Sequence, residues 1–172
     1  MYLRSYLEVD EDKYRHNIRT LQKISGKKLI GVVKANAYGM GDVRASEILI
    51  EEGVKMLAVS SIDEALHLRR NHIGCDILIL GYTDAGDLKK VKENDLSIVT
   101  VSKDYVERNE EELRGARVHL KLNTGMNRIG VRPYEAKEVL EKLIECGAKV
   151  EGIMTHYTST RCRSRSNQLL WL

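Results

Sequence analysis

Lys34 closes an apolar run, Leu29-Ile30-Gly31-Val32-Val33, and is followed at once by Ala35-Asn36-Ala37-Tyr38-Gly39-Met40-Gly41, where asparagine, tyrosine and glycine end the run. A helix-like segment opens at Asp42. The pattern reads as a buried strand that delivers one lysine to its carboxyl end. Low dielectric penalises an ammonium, so a lysine placed there tends to shed its proton. In the neutral state its amine is the nucleophile that forms a Schiff base with an aldehyde. The plainer alternative is a lysine whose stem is buried while its head reaches water.

Two later segments also carry polar groups at strand ends. Val118-His119-Leu120-Lys121-Leu122-Asn123 alternates, so that Leu120 and Leu122 share one face and His119, Lys121 and Asn123 the other. That polar face is either the inward side of a closed sheet near its carboxyl end or the solvated side of an edge strand. Val150-Glu151-Gly152-Ile153-Met154-Thr155-His156-Tyr157 puts His156 at a strand's carboxyl end, in phase with Met154. A lone histidine in that place is usually a structural hydrogen-bonding residue. Cys75, Cys146 and Cys162 are odd in number, widely spaced and never paired as Cys-x-x-Cys. This argues against a disulfide framework or a zinc site, no metal is expected, and packing is the expected role of Cys75 and Cys146.

A regular alternation of elements positions these residues. Residues 5 to 10 alternate as a short strand would, and Glu11 to Ile24 follow as a helix with Ile18, Leu21 and Ile24 at apolar spacing. Strand-like runs begin near Leu29, Met56, Asp76, Ser97, Arg117 and Lys149. Helical patterns occupy Asp42 to Glu52, Ile62 to Asn71, Ala85 to Glu93, Lys103 to Leu113 and Pro133 to Cys146. Ser61 offers a cap with a carboxylate, Glu64, three residues on. Pro133 fits a first helical turn, Ala136, Val139, Leu140 and Leu143 form a stripe, and Gly147 is the stop. Six strands separated by five helices imply parallel pairing. Such repeats build either a doubly wound open sheet or a (β/α)8 barrel. No Gly-x-Gly-x-x-Gly follows the first strand, which lowers the dinucleotide-binding option.

At 172 residues the chain suits one domain with a real core. Apolar residues make up 42% and charged residues 31%, a soluble globular balance, and no apolar run reaches membrane-spanning length. The net charge of +3 is too small to imply a nucleic-acid partner. The first ten residues hold no long apolar stretch of the secretory kind, so the cytoplasm is the expected compartment.

Residues 33 to 41, Val-Lys-Ala-Asn-Ala-Tyr-Gly-Met-Gly, closely resemble the pyridoxal-phosphate attachment motif of the alanine racemases. Residues 121 to 130, Lys-Leu-Asn-Thr-Gly-Met-Asn-Arg-Ile-Gly, resemble that family's second signature, with Asn123 where an aspartate is usual. Gly152 to Tyr157, Ala58 to Ala65 and Leu78 to Tyr82 fit further strand ends, and the resemblance runs from about Tyr6 to Thr158. It implies an α/β chain of (β/α)8 TIM-barrel type. It also implies that Lys34 is the Schiff-base lysine and one of two bases, that Tyr38 bonds the cofactor phosphate, and that His156 lies against the pyridine ring. Arg128 would meet the substrate carboxylate and the cofactor's phenolic oxygen, held by Lys121, which is often carbamylated in the family. A planar guanidinium suits a carboxylate, and a carbamate turns Lys121 from a repelling cation into an anionic partner. Asn123 removes one negative charge from this region, and Met40 stands where a histidine is common.

The activity implied is pyridoxal 5'-phosphate-dependent interconversion of L- and D-alanine, with serine as the alternative substrate. The family works as a homodimer whose second base, a tyrosine, comes from the partner's carboxyl-terminal domain, and no such domain can be read here. A full barrel takes about 250 residues and eight units, whereas six strands are counted before Thr158. Residues 1 to 158 are therefore expected to form part of a cofactor-binding barrel, with about six βα units. Residues 159 to 172 read as an irregular basic tail, either flexible or a truncated or frame-shifted end; the abrupt change in composition favours truncation. The chain alone is expected to bind the cofactor weakly and not to racemise alanine at a normal rate. The rival readings are a cofactor carrier without turnover, whose lysine motif differs, and a non-catalytic racemase-derived fragment.

Overall fold

In the computed structural model, which describes residues 6–157, the chain falls into two compact units that divide between Leu78 and Ile79. The expected tail, the boundary at residue 158 and Cys162 lie outside the described residues.

The first unit opens with α1 (Glu11–Ser25), capped by Asp10, whose carboxylate accepts from the Lys13 amide at 3.0 Å, and ended by Gly26 in the left-handed region. Residues 6 to 10 form no strand; Asp10 serves the helix instead. Of the expected apolar positions only Ile18 is buried, while Leu21 and Ile24 are exposed. Charge ties α1 to α3 (Asp42–Glu51) and its end. Arg19 grips Glu52 through two bonds of 2.6 Å, Arg44 grips Glu11 at 2.6 and 2.7 Å, and Arg15 pairs with Glu51.

β1 (Ile30–Val32) pairs in parallel with β2 (Met56–Val59), Gly31 opposite Leu57. Gly31 must lack a side chain, because a Cβ there would stand 2.6 Å from the Leu49 Cδ1 atom. The expectation of a wholly buried first strand is corrected: Ile30 and Val32 are exposed, and only Gly31 and the following Val33 are buried. The reason is that β1 has a neighbour on one side only among the described residues. α4 (Ile62–Arg70) follows β2, and β3 (Asp76–Ile79) reaches the division between the units. The core holds Ile48, Leu49, Leu57, Ala58, Val59, Ala65, Leu68 and Ile77.

In the second unit α5 (Leu88–Glu93) is led in by a 3-10 turn at Ala85–Asp87 and precedes β4 (Leu96–Thr100), which is buried along its whole length. The single helix expected over 103 to 113 is broken at Asn109 into α6 (Lys103–Arg108) and α7 (Glu110–Leu113). The Asn109 side-chain amide donates to the Tyr105 carbonyl at 2.6 Å, and its backbone leaves helical geometry. β5 (Arg117–Lys121) runs parallel to β4 and to β6 (Lys149–Met154), with a bulge between Val118 and His119. Before β6, Pro133 starts a 3-10 turn that continues into α8 (Ala136–Glu145), stopped at Gly147, φ 83°. His119 and Lys121 are buried, at 8% and 5% exposed, so the polar face of β5 is not a solvated one. Cys75 and Cys146 are free thiols packed before β3 and at the end of α8.

Candidate functional site

Lys34 leaves β1 half-buried and begins α2 (Lys34–Tyr38), a turn of the opposite hand to an ordinary helix. Ala35, Asn36, Ala37 and Tyr38 have φ between 50° and 55°, and Gly39 and Gly41 follow at 91° and 94°. Each L-residue held left-handed costs about 1–2 kcal/mol, asparagine less, so the turn must be held from outside. Three sets of bonds hold it. The Ala35 amide donates to a Glu64 oxygen at 2.7 Å. The Asn36 side-chain oxygen accepts from the Asp42 amide at 2.9 Å and its carbonyl from Gly39 and Gly41. Val33 donates to the Ala58 carbonyl at 2.9 Å, extending the β1–β2 ladder up to the lysine.

The result is an amine and a phenol on one short turn: the Lys34 Nζ lies 5.9 Å from the centre of the Tyr38 ring, and Tyr38 is largely exposed. Glu64 shares this turn. Burial pushes its carboxyl up, but bonds from Ala35, Ser60 and Ser61 outweigh that, and its pKa lies below the ordinary carboxylate value.

The second unit carries the other candidates. Lys121 ends β5 almost wholly buried, and the chain then loops through residues 123 to 131 before Val131 donates back to the Lys121 carbonyl at 2.7 Å. Asn123 organises this loop. Its side-chain oxygen accepts from the amides of Gly125 and Asn127, and its NH2 donates to the Asn127 side chain at 3.2 Å. An aspartate would keep the two backbone bonds, so the substitution alters charge more than loop geometry. Gly130, φ 123°, admits no side chain, since a Cβ would stand 3.0 Å from the Asn123 nitrogen.

Arg128 sits exposed on this loop and lines an open cavity of about 630 Å3 with Tyr82, Ser102, Asn123, Asn127 and Arg132. Two guanidiniums at a cavity of that size suit an anionic ligand of cofactor dimensions. Tyr82 packs edge-on against Tyr105, whose hydroxyl donates to the Thr83 carbonyl at 2.9 Å; burial pushes that phenol up, so it stays a neutral donor. Thr124 reaches the Thr155 hydroxyl at 2.6 Å, and Thr155 donates to the Leu122 carbonyl, fastening the loop to the segment that ends in His156. His156 lies two residues beyond β6, exposed.

Residues 9–168 match the family described as alanine racemase, N-terminal domain. The chain belongs to this family. An alanine racemase of Helicobacter pylori (strain G27) is 36% identical over 174 residues, which is 95% of this chain and 45% of the relative. Alanine racemase 2 of Caldanaerobacter subterraneus subsp. tengcongensis is 36% identical over 162 residues, 90% of this chain and 42% of the relative. Among solved structures, the alanine racemase from Bacillus anthracis with bound L-Ala-P superposes with a TM-score of 0.89 at 30% identity, covering 99% of this chain and 47% of that one. The Clostridium difficile 630 alanine racemase in complex with cycloserine gives 0.81 at 29%, covering 95% and 47%. A histidine racemase from Leuconostoc mesenteroides, 22% identical, shares the fold. The chain thus spans less than half the length of the relatives it matches. Its fold is α/β, of the (β/α)8-barrel type, with six strands among the described residues.

In this member of the family, the structure brings Lys34 and Tyr38 onto one turn of the first unit and places Lys121, Arg128 and His156 in the second. Reading by residue type missed the Thr124–Thr155 pair and the second role of Glu64, which was legible only as a capping carboxylate. The Thr-His step at 155 and 156 was the available signal for the threonine.

Proposed function

We propose that this chain is the cofactor-holding part of an amino-acid racemase that acts on alanine. The observation that carries the reading is the left-handed turn, which offers Lys34 and Tyr38 together at the carboxyl end of β1. Bound pyridoxal phosphate would supply an electron sink for negative charge at the substrate's α carbon. In the first unit the residues fit such a group, Lys34 offering an amine for its aldehyde and Tyr38 a hydroxyl for its phosphate; by analogy with the family, His156 is the residue that would support the pyridine.

Once its amine is free, Lys34 accepts or returns the α proton on one face of the substrate. Arg128 orients the substrate carboxylate, because its planar fork matches two oxygens. Lys121 is buried, and as a carbamate it would present negative charge to Arg128 where an ammonium would repel it. The relatives solved with cycloserine and with L-Ala-P support a small amino-acid-like ligand; serine is the alternative substrate, and a homodimer the assembly by analogy with the family.

The test is to add pyridoxal phosphate and follow visible absorbance in the wild type and in Lys34→Ala. The wild type gains a lysine-bound band that Lys34→Ala lacks; equal signal removes Lys34 from this role. Chiral chromatography of alanine then reads turnover. The rival reading is cofactor binding without turnover. A wild type that binds cofactor and leaves L-alanine unchanged would select it.

A further inference from the structure

We propose that Glu64 is the positioning residue for Lys34, holding in place the strained turn that presents the amine. The inference deepens the proposed function and rests on it. One Glu64 oxygen accepts from the Ala35 amide at 2.7 Å, and Ala35 is both the residue after Lys34 and the first of the left-handed run. The other accepts from the Ser60 amide and the Ser60 hydroxyl, each at 2.7 Å. Ser60 follows β2 directly, so one carboxylate joins the ends of β1 and β2 at the point where the lysine emerges.

The chemistry calls for a carboxylate. Three donors converge on Glu64, and only a group with two acceptor oxygens and no hydrogen receives them all. Glutamine has the same shape but turns an NH2 toward one of the donors. The carboxylate is itself fixed, since Ser61 accepts from the Glu64 amide at 3.4 Å and sets the first turn of α4. The lowered acidity of the carboxyl agrees with its being held as the anion. With the Ala35 anchor gone, the first left-handed residue loses its one bond to α4 while the Asn36 bonds and the Val33–Ala58 bond remain, so the turn loosens at Ala35 and the direction of Lys34 changes with it.

The test uses the full chain with pyridoxal phosphate and borohydride, scoring covalent label on Lys34 by peptide mass spectrometry. The exposed Lys137 in the same sample is the internal reference. Glu64→Gln and Glu64→Ala are expected to lower the Lys34-to-Lys137 labelling ratio at least tenfold. In both variants amide exchange should speed up at Ala35 while Leu57 and Leu68 stay protected. Asp10→Ala, which loosens the α1 cap away from the turn, should leave the ratio unchanged. A folded Glu64→Gln protein labelled at the wild-type ratio overturns the proposal alone. A wild type whose Lys34 is labelled no better than Lys137 overturns the cofactor reading and this proposal with it. Should the variants not fold, the Ala35 amide proton of the wild type decides: it is expected downfield and shifting with the Glu64 carboxyl, and a resonance indifferent to pH overturns the proposal.

Discussion

Glu64 and Gly130 show how single residues carry the local geometry of this chain. Glu64 has a folded pKa below its ordinary value of 4.5. A lowered carboxylate pKa means its stabilisation is fully present above that ordinary value and is lost as pH falls through the folded one. The melting temperature of the wild type is therefore expected to exceed that of Glu64→Gln at neutral pH, and the gap to narrow as pH falls below the ordinary carboxylate value and to close as it passes through the lowered folded one; thermal melts across the acid range check this. Gly130→Ala combines a positive φ with a 3.0 Å approach to backbone atoms, so a loss of about 1–3 kcal/mol is expected in a denaturant titration. Asn123→Asp keeps the oxygen that accepts from both backbone amides and should melt close to wild type, whereas Asn123→Leu should not. Asn36, Gly39 and Gly41 announce an unusual turn in the sequence, but the left-handed state of Ala35, Ala37 and Tyr38 does not follow from residue type. It is held in part by a glutamate 29 residues away.

At the scale of elements, the short-range signals held where one stretch of chain supplies both partners. Ser61 caps α4 through the Glu64 amide as its spacing suggested; Ser102, which the sequence reading did not single out, caps α6 through the Tyr105 amide at 3.1 Å, and Ser102→Ala is expected to cost about 1 kcal/mol in the same titration. On α8 the stripe sorts the outcomes: Leu143 is fully buried and Ile144 is 61% exposed. Leu143→Ala should lose about 2–5 kcal/mol, and its neighbour Ile144→Ala little, which paired denaturation curves will read. The α1 helix was the exception. Its apolar spacing was present, yet Leu21 and Ile24 meet no core, and arginine–carboxylate pairs to Glu51 and Glu52 tie the helix down instead. Each pair has one exposed partner and is open to screening by salt, so rising ionic strength should loosen α1 first, visible as faster amide exchange along 11 to 25.

For the molecule as a whole, exposure at the outer strands reflects what lies beside them. Ile153 on β6 is 59% exposed, and Ile30 and Val32 on β1 are exposed on a strand with one neighbour among the described residues. Unpaired strand edges with apolar side chains favour association, so light scattering at high protein concentration is expected to fall in Ile153→Lys. Strand and helix positions were legible in the amino-acid order because periodicity and caps are summed over a few neighbouring residues. The six strands begin within a residue or so of where the apolar runs do. The motif around Lys34 likewise carried the family resemblance in the sequence itself. Tertiary structure alone decided that Ile30 and Val32 on β1 are exposed, that the lysine turn is left-handed, and that the Glu64 carboxylate grips Ala35. Each of these depends on atoms brought together from distant parts of the chain, and no window of neighbouring residues contains them.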